Sequence, residues 1–329
     1  SGCSVKMAAI FHRNIFRVFK PVAGEVVFQT RRVLSTSVTK VVAFDDPRVQ
    51  VLLKRITGRN LDKVLASRSE SGIGSPSYKL MTDEELSLAE NKIEKEAEKF
   101  LEMPAIMEER QNSNIVLEKR PELEGYLQCN TIFTDISQGT TSRDRRIVVR
   151  EPDGTLREGH WEERDRMNFL FFQRKGQSYK LPTVLEDEHL ENAFNRNGHV
   201  DVLDLVCVQC EPDSDDYIRV HQRTYEDLNK KRSFDLLRST RHFGGMVYYF
   251  TKEKRLTWML VDILKRDRIS DASDVVKLFH LLHPASKSAV TAIQKQLEGL
   301  DLIKVYVKDQ GPHGLLQFLE EDNKTIKSA

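Results

Sequence analysis

From about Asp187 to Glu298 the chain carries one helical pattern after another, with breaks too short to admit a different architecture. The segments lie near 187–196, 199–210, 214–231, 234–250, 255–268, 271–282 and 286–298. They are separated by Gly198, Pro212, the Gly244-Gly245 pair, Ser270 and Pro284. Connections this short make successive helices antiparallel neighbours, so residues 186–308 are expected to form an irregular helical bundle. No fixed-period repeat marks a solenoid. The apolar run Leu302 to Val307 reads as a possible terminal strand, and 309–329 as a mobile tail.

Upstream, residues 35–130 read as a helical arm. Asp46 and Pro47 suit a helix start, and Val49, Leu52, Leu53 and Ile56 share one face before Gly58 breaks the segment. Thr82 and Glu85 stand at capping-box spacing ahead of a long amphipathic helix over 83–102. Its stripe of Leu86, Ala89, Ile93, Ala97 and Phe100 is apolar, and the rest is rich in Glu and Lys. Nothing else in the arm supplies a core, so this stripe is expected to dock on another surface.

Residues 131–185 change character. Thr131 to Ser137 and Arg146 to Arg150 are β-branched, strand-like runs, and Glu151-Pro152-Asp153-Gly154 has turn chemistry. Thr155 to Arg157 suits a returning hairpin strand, and Trp161 to Phe172 a helix. The expected fold is therefore mostly α with a small β element: an N-terminal helical arm, a short β-hairpin region and a C-terminal irregular helical bundle.

The first 34 residues read differently. Lys6, Arg13, Arg17, Lys20, Arg31 and Arg32 stand against one acid, Glu25, for a net of +5; with a whole-chain charge of +1, residues 35–329 carry −4. From Met7 the stretch is Arg-rich, acid-poor and amphipathic, which is the pattern of a mitochondrial transit peptide, with leader residues before Met7. Arginine interrupts the apolar run that a secretory signal needs. Arg32-Val33-Leu34-Ser35 resembles a matrix-processing site, so cleavage is expected after Leu34. The plainer alternative is an amphipathic surface helix. No apolar run reaches the roughly 18 residues of a membrane-spanning helix.

The search for chemistry returns no catalytic set. Phosphate loops, dinucleotide glycine fingerprints and nucleophile elbows are missing from the sequence. Cys207 and Cys210 have metal spacing, but no second pair completes four ligands, and they lie in an apolar segment where thiols pack as small hydrophobes. No metal and no cofactor is expected. Four scattered cysteines are read as reduced thiols. His280 and His283 suit a helix end, and the acids of Trp161 to Arg166 suit ion pairs with Arg164 and Arg166. Gly244-Gly245 suits close helix packing.

Basic clusters remain. Arg143, Arg145, Arg146 and Arg150 form one set; Lys230, Lys231, Arg232, Arg238 and Arg241 form another. An acidic body can meet RNA only through such local patches, although most charge clusters are simply solvated faces.

Several long words resemble one family, the animal mitochondrial small ribosomal subunit proteins numbered twenty-two. They are Tyr78 to Thr82, Phe133 to Ser137, Ile147 to Arg157, Trp161 to Met167, His199 to Leu205, Glu211 to Leu228 and Phe234 to Phe250. The resemblance runs in order from about Pro47 to Lys308. It implies a non-catalytic ribosomal subunit in the mitochondrial matrix that scaffolds small-subunit rRNA and neighbouring ribosomal proteins, with no membrane and no small-molecule substrate as partner. The alternatives are an RNA-processing or ribosome-assembly adaptor of the matrix, and a matrix enzyme.

Overall fold

The computed structural model describes Met7–Ala8 and residues 42–65, 78–112, 114–126 and 128–310. The stretch read as a transit peptide, apart from Met7–Ala8, and the residues beyond Gln310 lie outside these. The chain divides into two compact units, one holding 110–180 with 1–39, the other 40–109 with 181–329.

The first unit is built on a small sheet. Its strands are β1 (Met7–Ala8), β2 (Val116–Lys119), β3 (Thr131–Thr134), β4 (Ile147–Arg150) and β5 (Thr155–Glu158), in the order β1-β3-β4-β5-β2. β1 runs parallel to β3, and the other pairs are antiparallel. The β4–β5 hairpin is the one expected from Glu151 to Gly154. Gly154 adopts φ 83°, which strains any L side chain, and a Cβ there would strike the Arg120 carbonyl. Helix α4 (Trp161–Phe172) follows, and its buried Met167 packs with Ile132, Ile147 and Val149. Glu163 holds the helix start by accepting from the His160 amide at 2.9 Å.

The second unit is helical. It begins with α1 (Pro47–Thr57), α2 (Leu61–Val64) and α3 (Asp83–Phe100). It resumes with α5 (Asp187–Asn195), α6 (His199–Gln209), α7 (Asp215–Lys231), α8 (Phe243–Lys252), α9 (Thr257–Lys265), α10 (Ile269–Leu282), α11 (Lys287–Lys295) and α12 (Gly299–Gln310). α10 is the hub, packed by α1, α8, α9 and α12. Its Val275, Val276 and Phe279 join Leu53 and Ile56 of α1, Met246 and Phe250 of α8 and Ile303 of α12 in one core. A smaller cluster joins Leu190, Phe194, Val202, Val206, Tyr217 and Val220.

Four expectations need correction. Leu302 to Val307 is helical, not a strand, because Leu302, Ile303, Tyr306 and Val307 share the face of α12 that is buried against α10 and α11. The stretch read as one helical arm over 35–130 divides between the two units. α1 lies inside the helical core with Val49, Leu53 and Ile56 fully buried, whereas β2 belongs to the sheet. Gly244 and Gly245 do not separate helices but form the first turn of α8, where a Cβ on Gly245 would meet the Tyr225 hydroxyl at 2.9 Å. Close packing, the role read for them, is what that contact shows. The reading of four reduced thiols holds for Cys207 and Cys210 but not for Cys129, which is disulfide-bonded.

Candidate nucleic-acid interface

The sequence marks two sets of cations, and the structure sorts each into side chains held internally and side chains turned outward. In the first set, Arg145 is buried. Its Nη1 donates to the carbonyls of Asp135 at 2.8 Å and Ser137 at 3.1 Å, and its Nη2 to that of Thr140 at 2.9 Å. Residues 135–146 form an irregular loop whose carbonyls have few ladder partners, and the planar fork of one arginine gathers three of them. Arg164 extends this scaffold by donating to the carbonyls of Arg143 and Arg145. Arg150 donates to the Gly154 carbonyl at 2.9 Å and lies 3.6 Å from Glu118, so it braces the hairpin. Only Arg143 and Arg146 of this set are exposed.

The second set divides in the same way. Arg238 is buried between Asp235 at 3.6 Å and Asp271 at 3.4 Å, over the Phe243 ring. Arg241 is held 2.6 Å from Asp204, and Lys231 2.9 Å from Asp227. Lys230 is exposed and forms no ion pair among the described residues. Arg232 ends α7 in the left-handed conformation, φ 58°. Its guanidinium lies 3.6 Å from the centroid of the half-exposed Trp258 ring, and its Nη1 donates to the Asn229 carbonyl at 2.8 Å. A guanidinium backed by an exposed indole keeps its outer N–H groups and outer face available to phosphate or a base.

The expected docking stripe on α3 is open. Leu86 is 50% exposed, Phe100 61%, and Ile93 is also exposed, while Ala89 is partly covered. Only Ala97, at 1%, is buried. Beside the end of α3, Phe100, Leu101 and Met103 line a cleft of about 890 Å³ with Val64, Leu65 and Arg241. Apart from Ala97 and, in part, Ala89, the α3 stripe is thus not covered by the described part of this chain.

The residues weighed for chemistry have structural roles. Glu163 pairs with Arg157 at 2.8 Å and Asp165 pairs with Arg110. Burial opposes ionisation of Glu163, but hydrogen bonds from Arg157 and the His160 amide outweigh it and hold the carboxyl below its ordinary range. His283 caps α10 and donates through Nε2 to the Thr251 carbonyl at 2.9 Å.

The comparisons with known proteins agree with these words and elements. A family model, mitochondrial 28S ribosomal protein S22, matches residues 42–284. The small ribosomal subunit protein mS22 of Mus musculus is 42% identical over 294 residues, covering 88% of this chain and 82% of that protein. Its Bos taurus counterpart is 44% identical over 275 residues, covering 84% and 76%. The matched span takes in α1, the β4–β5 hairpin and the helices through α10, and the chain belongs to the mitochondrial 28S ribosomal protein S22 family.

Proposed function

We propose that this chain is a structural, non-catalytic subunit of the mitochondrial small ribosomal subunit, acting in the matrix in support of translation. The observation that carries this reading is the family match across residues 42–284. Its work is scaffolding, with rRNA and neighbouring ribosomal proteins held in place on its surfaces.

Within that reading, Arg143 and Arg146 on one unit and Lys230 and Arg232 on the other are the rRNA contacts. All four are exposed, whereas Lys231, also exposed, is held by Asp227, and Arg241 is held by Asp204. Arg145, Arg150, Arg238 and Arg241 shape the surfaces that present them. The open stripe of α3 takes a neighbouring ribosomal protein.

The test is sedimentation of mitochondrial lysate with the tagged chain. One copy per small subunit, retained at moderate salt, supports the structural reading. Substoichiometric recovery confined to immature particles would favour an assembly adaptor.

A further inference from the structure

Cys207, His221 and His242 come from α6, α7 and the residue preceding α8, and their potential ligand atoms all lie within 4.8 Å of one another. His221 is 7% exposed, His242 is 1% exposed, and Cys207 is partly buried. Each histidine is oriented through one nitrogen. His221 Nδ1 lies 2.8 Å from the Tyr217 carbonyl, which can only accept, so Nδ1 carries the proton and Nε2 is its ligating edge. His242 Nε2 lies 2.9 Å from a carboxylate oxygen of Asp204 and 3.4 Å from Arg241 Nε; in the shorter contact Nε2 donates to the carboxylate, which leaves Nδ1 as the ligating edge. A carboxylate or a backbone carbonyl behind each imidazole is the usual support of metal-bound histidine, fixing the tautomer and ring orientation.

We infer that Cys207, His221 and His242 bind one zinc ion, which clips α6, α7 and α8 together. One thiolate and two imidazoles suit Zn(II), and a water in the fourth position completes a tetrahedron. Zinc takes nitrogen at about 2.0–2.1 Å and sulfur at about 2.3 Å, which sets ligand atoms roughly 3.3–3.6 Å apart. The donors here, all within 4.8 Å of one another, need to close by at most about 1.5 Å. Binding displaces the thiol proton, so the metal holds a thiolate where burial alone favours the neutral thiol. Asp204 also pairs with Arg241, so the guanidinium beside the site has its charge offset by that carboxylate. The Tyr217 hydroxyl lies 3.9 Å from the Cys207 sulfur and itself donates to the Ala105 carbonyl, which keeps this side of the site ordered.

Elemental analysis of the full chain, expressed with zinc and dialysed against a weak chelator, should find about one zinc per chain. Cys207→Ser and His242→Gln should each remove most of it. Cobalt(II) added to metal-free protein should give the intense absorption of a tetrahedral site together with a sulfur-to-cobalt charge-transfer band. This second measurement uses the unaltered chain, so it stands even if a variant fails to fold. A zinc-free protein, zinc content untouched by both substitutions, or cobalt bound without the sulfur band would each overturn the site.

Discussion

The guanidinium of Arg145 lies 3.5 Å from the centroid of the Phe172 ring while its N–H groups bind three loop carbonyls. It is a structural cation beside Arg146, an exposed one. Arg145→Met should therefore destabilise the sheet unit by about 3 kcal/mol, since it strips partners from several carbonyls at once. Arg146→Ala should leave unfolding unchanged and release the chain from small subunits at lower salt. Denaturant titration of the free protein and salt washing of subunits separate the two.

Arg232 and Arg238 make a parallel contrast. Arg232→Ala should lower the salt slope of rRNA association by roughly one unit. Arg238→Ala should instead cost about 1 kcal/mol of stability through lost packing on the Phe243 ring, since Asp235 keeps Arg266 at 3.0 Å and Asp271 keeps Arg268 at 3.6 Å. Binding isotherms over a salt series, read beside thermal unfolding, check both. An unchanged slope in the first variant would remove Arg232 from the contact.

α3 gives a prediction that depends on where the protein is measured. Ile93→Asp should shift the free protein's stability by no more than about 0.5 kcal/mol, as its side chain is exposed. Incorporation into subunits should fall severalfold. Ala97→Asp should destabilise the free protein, because that residue alone of the stripe is buried. Pulse-chase incorporation together with circular dichroism reads both effects.

His280 should set part of the acid sensitivity. Burial holds its imidazole below the ordinary 6.5, with Asp309 acting in the opposite direction. The unfolded chain takes up this proton near pH 6.5 while the native chain resists it. The His280 contribution is therefore complete above pH 6.5 and declines as pH falls below it. His280→Gln should flatten stability over that interval; a profile as steep as before would assign the sensitivity elsewhere.

Local signals in the sequence were reliable wherever neighbouring residues decide the conformation. The Thr82–Glu85 box, the Glu151 to Gly154 turn and the Trp161 to Phe172 helix all stand where residue chemistry puts them. Leu302-Ile303-Lys304-Val305-Tyr306-Val307 has strand composition, and only packing on α10 and α11 decides for the helix α12. β2 was missed because Val116 to Lys119 has almost no buried face to show as a pattern. The basic sets were visible as charge, but not which fork already held a carbonyl. Cys207, His221 and His242 give no spacing signal, since α6, α7 and the residue before α8 bring them together.

α3 is eighteen residues long and its ends are closed by its own chemistry: Thr82 and Glu85 satisfy each other's backbone amides, and Asp83, Glu84 and Glu85 stand at the positive end. Its helicity thus owes little to burial, for the described residues cover hardly any of its apolar stripe. A neighbour arriving at that stripe meets a ridge already formed, so the entropy of ordering eighteen residues is not charged to the encounter. Association at α3 should then approach the speed of rigid-body docking, and disrupting the Thr82–Glu85 closure should slow assembly without altering a single contact residue.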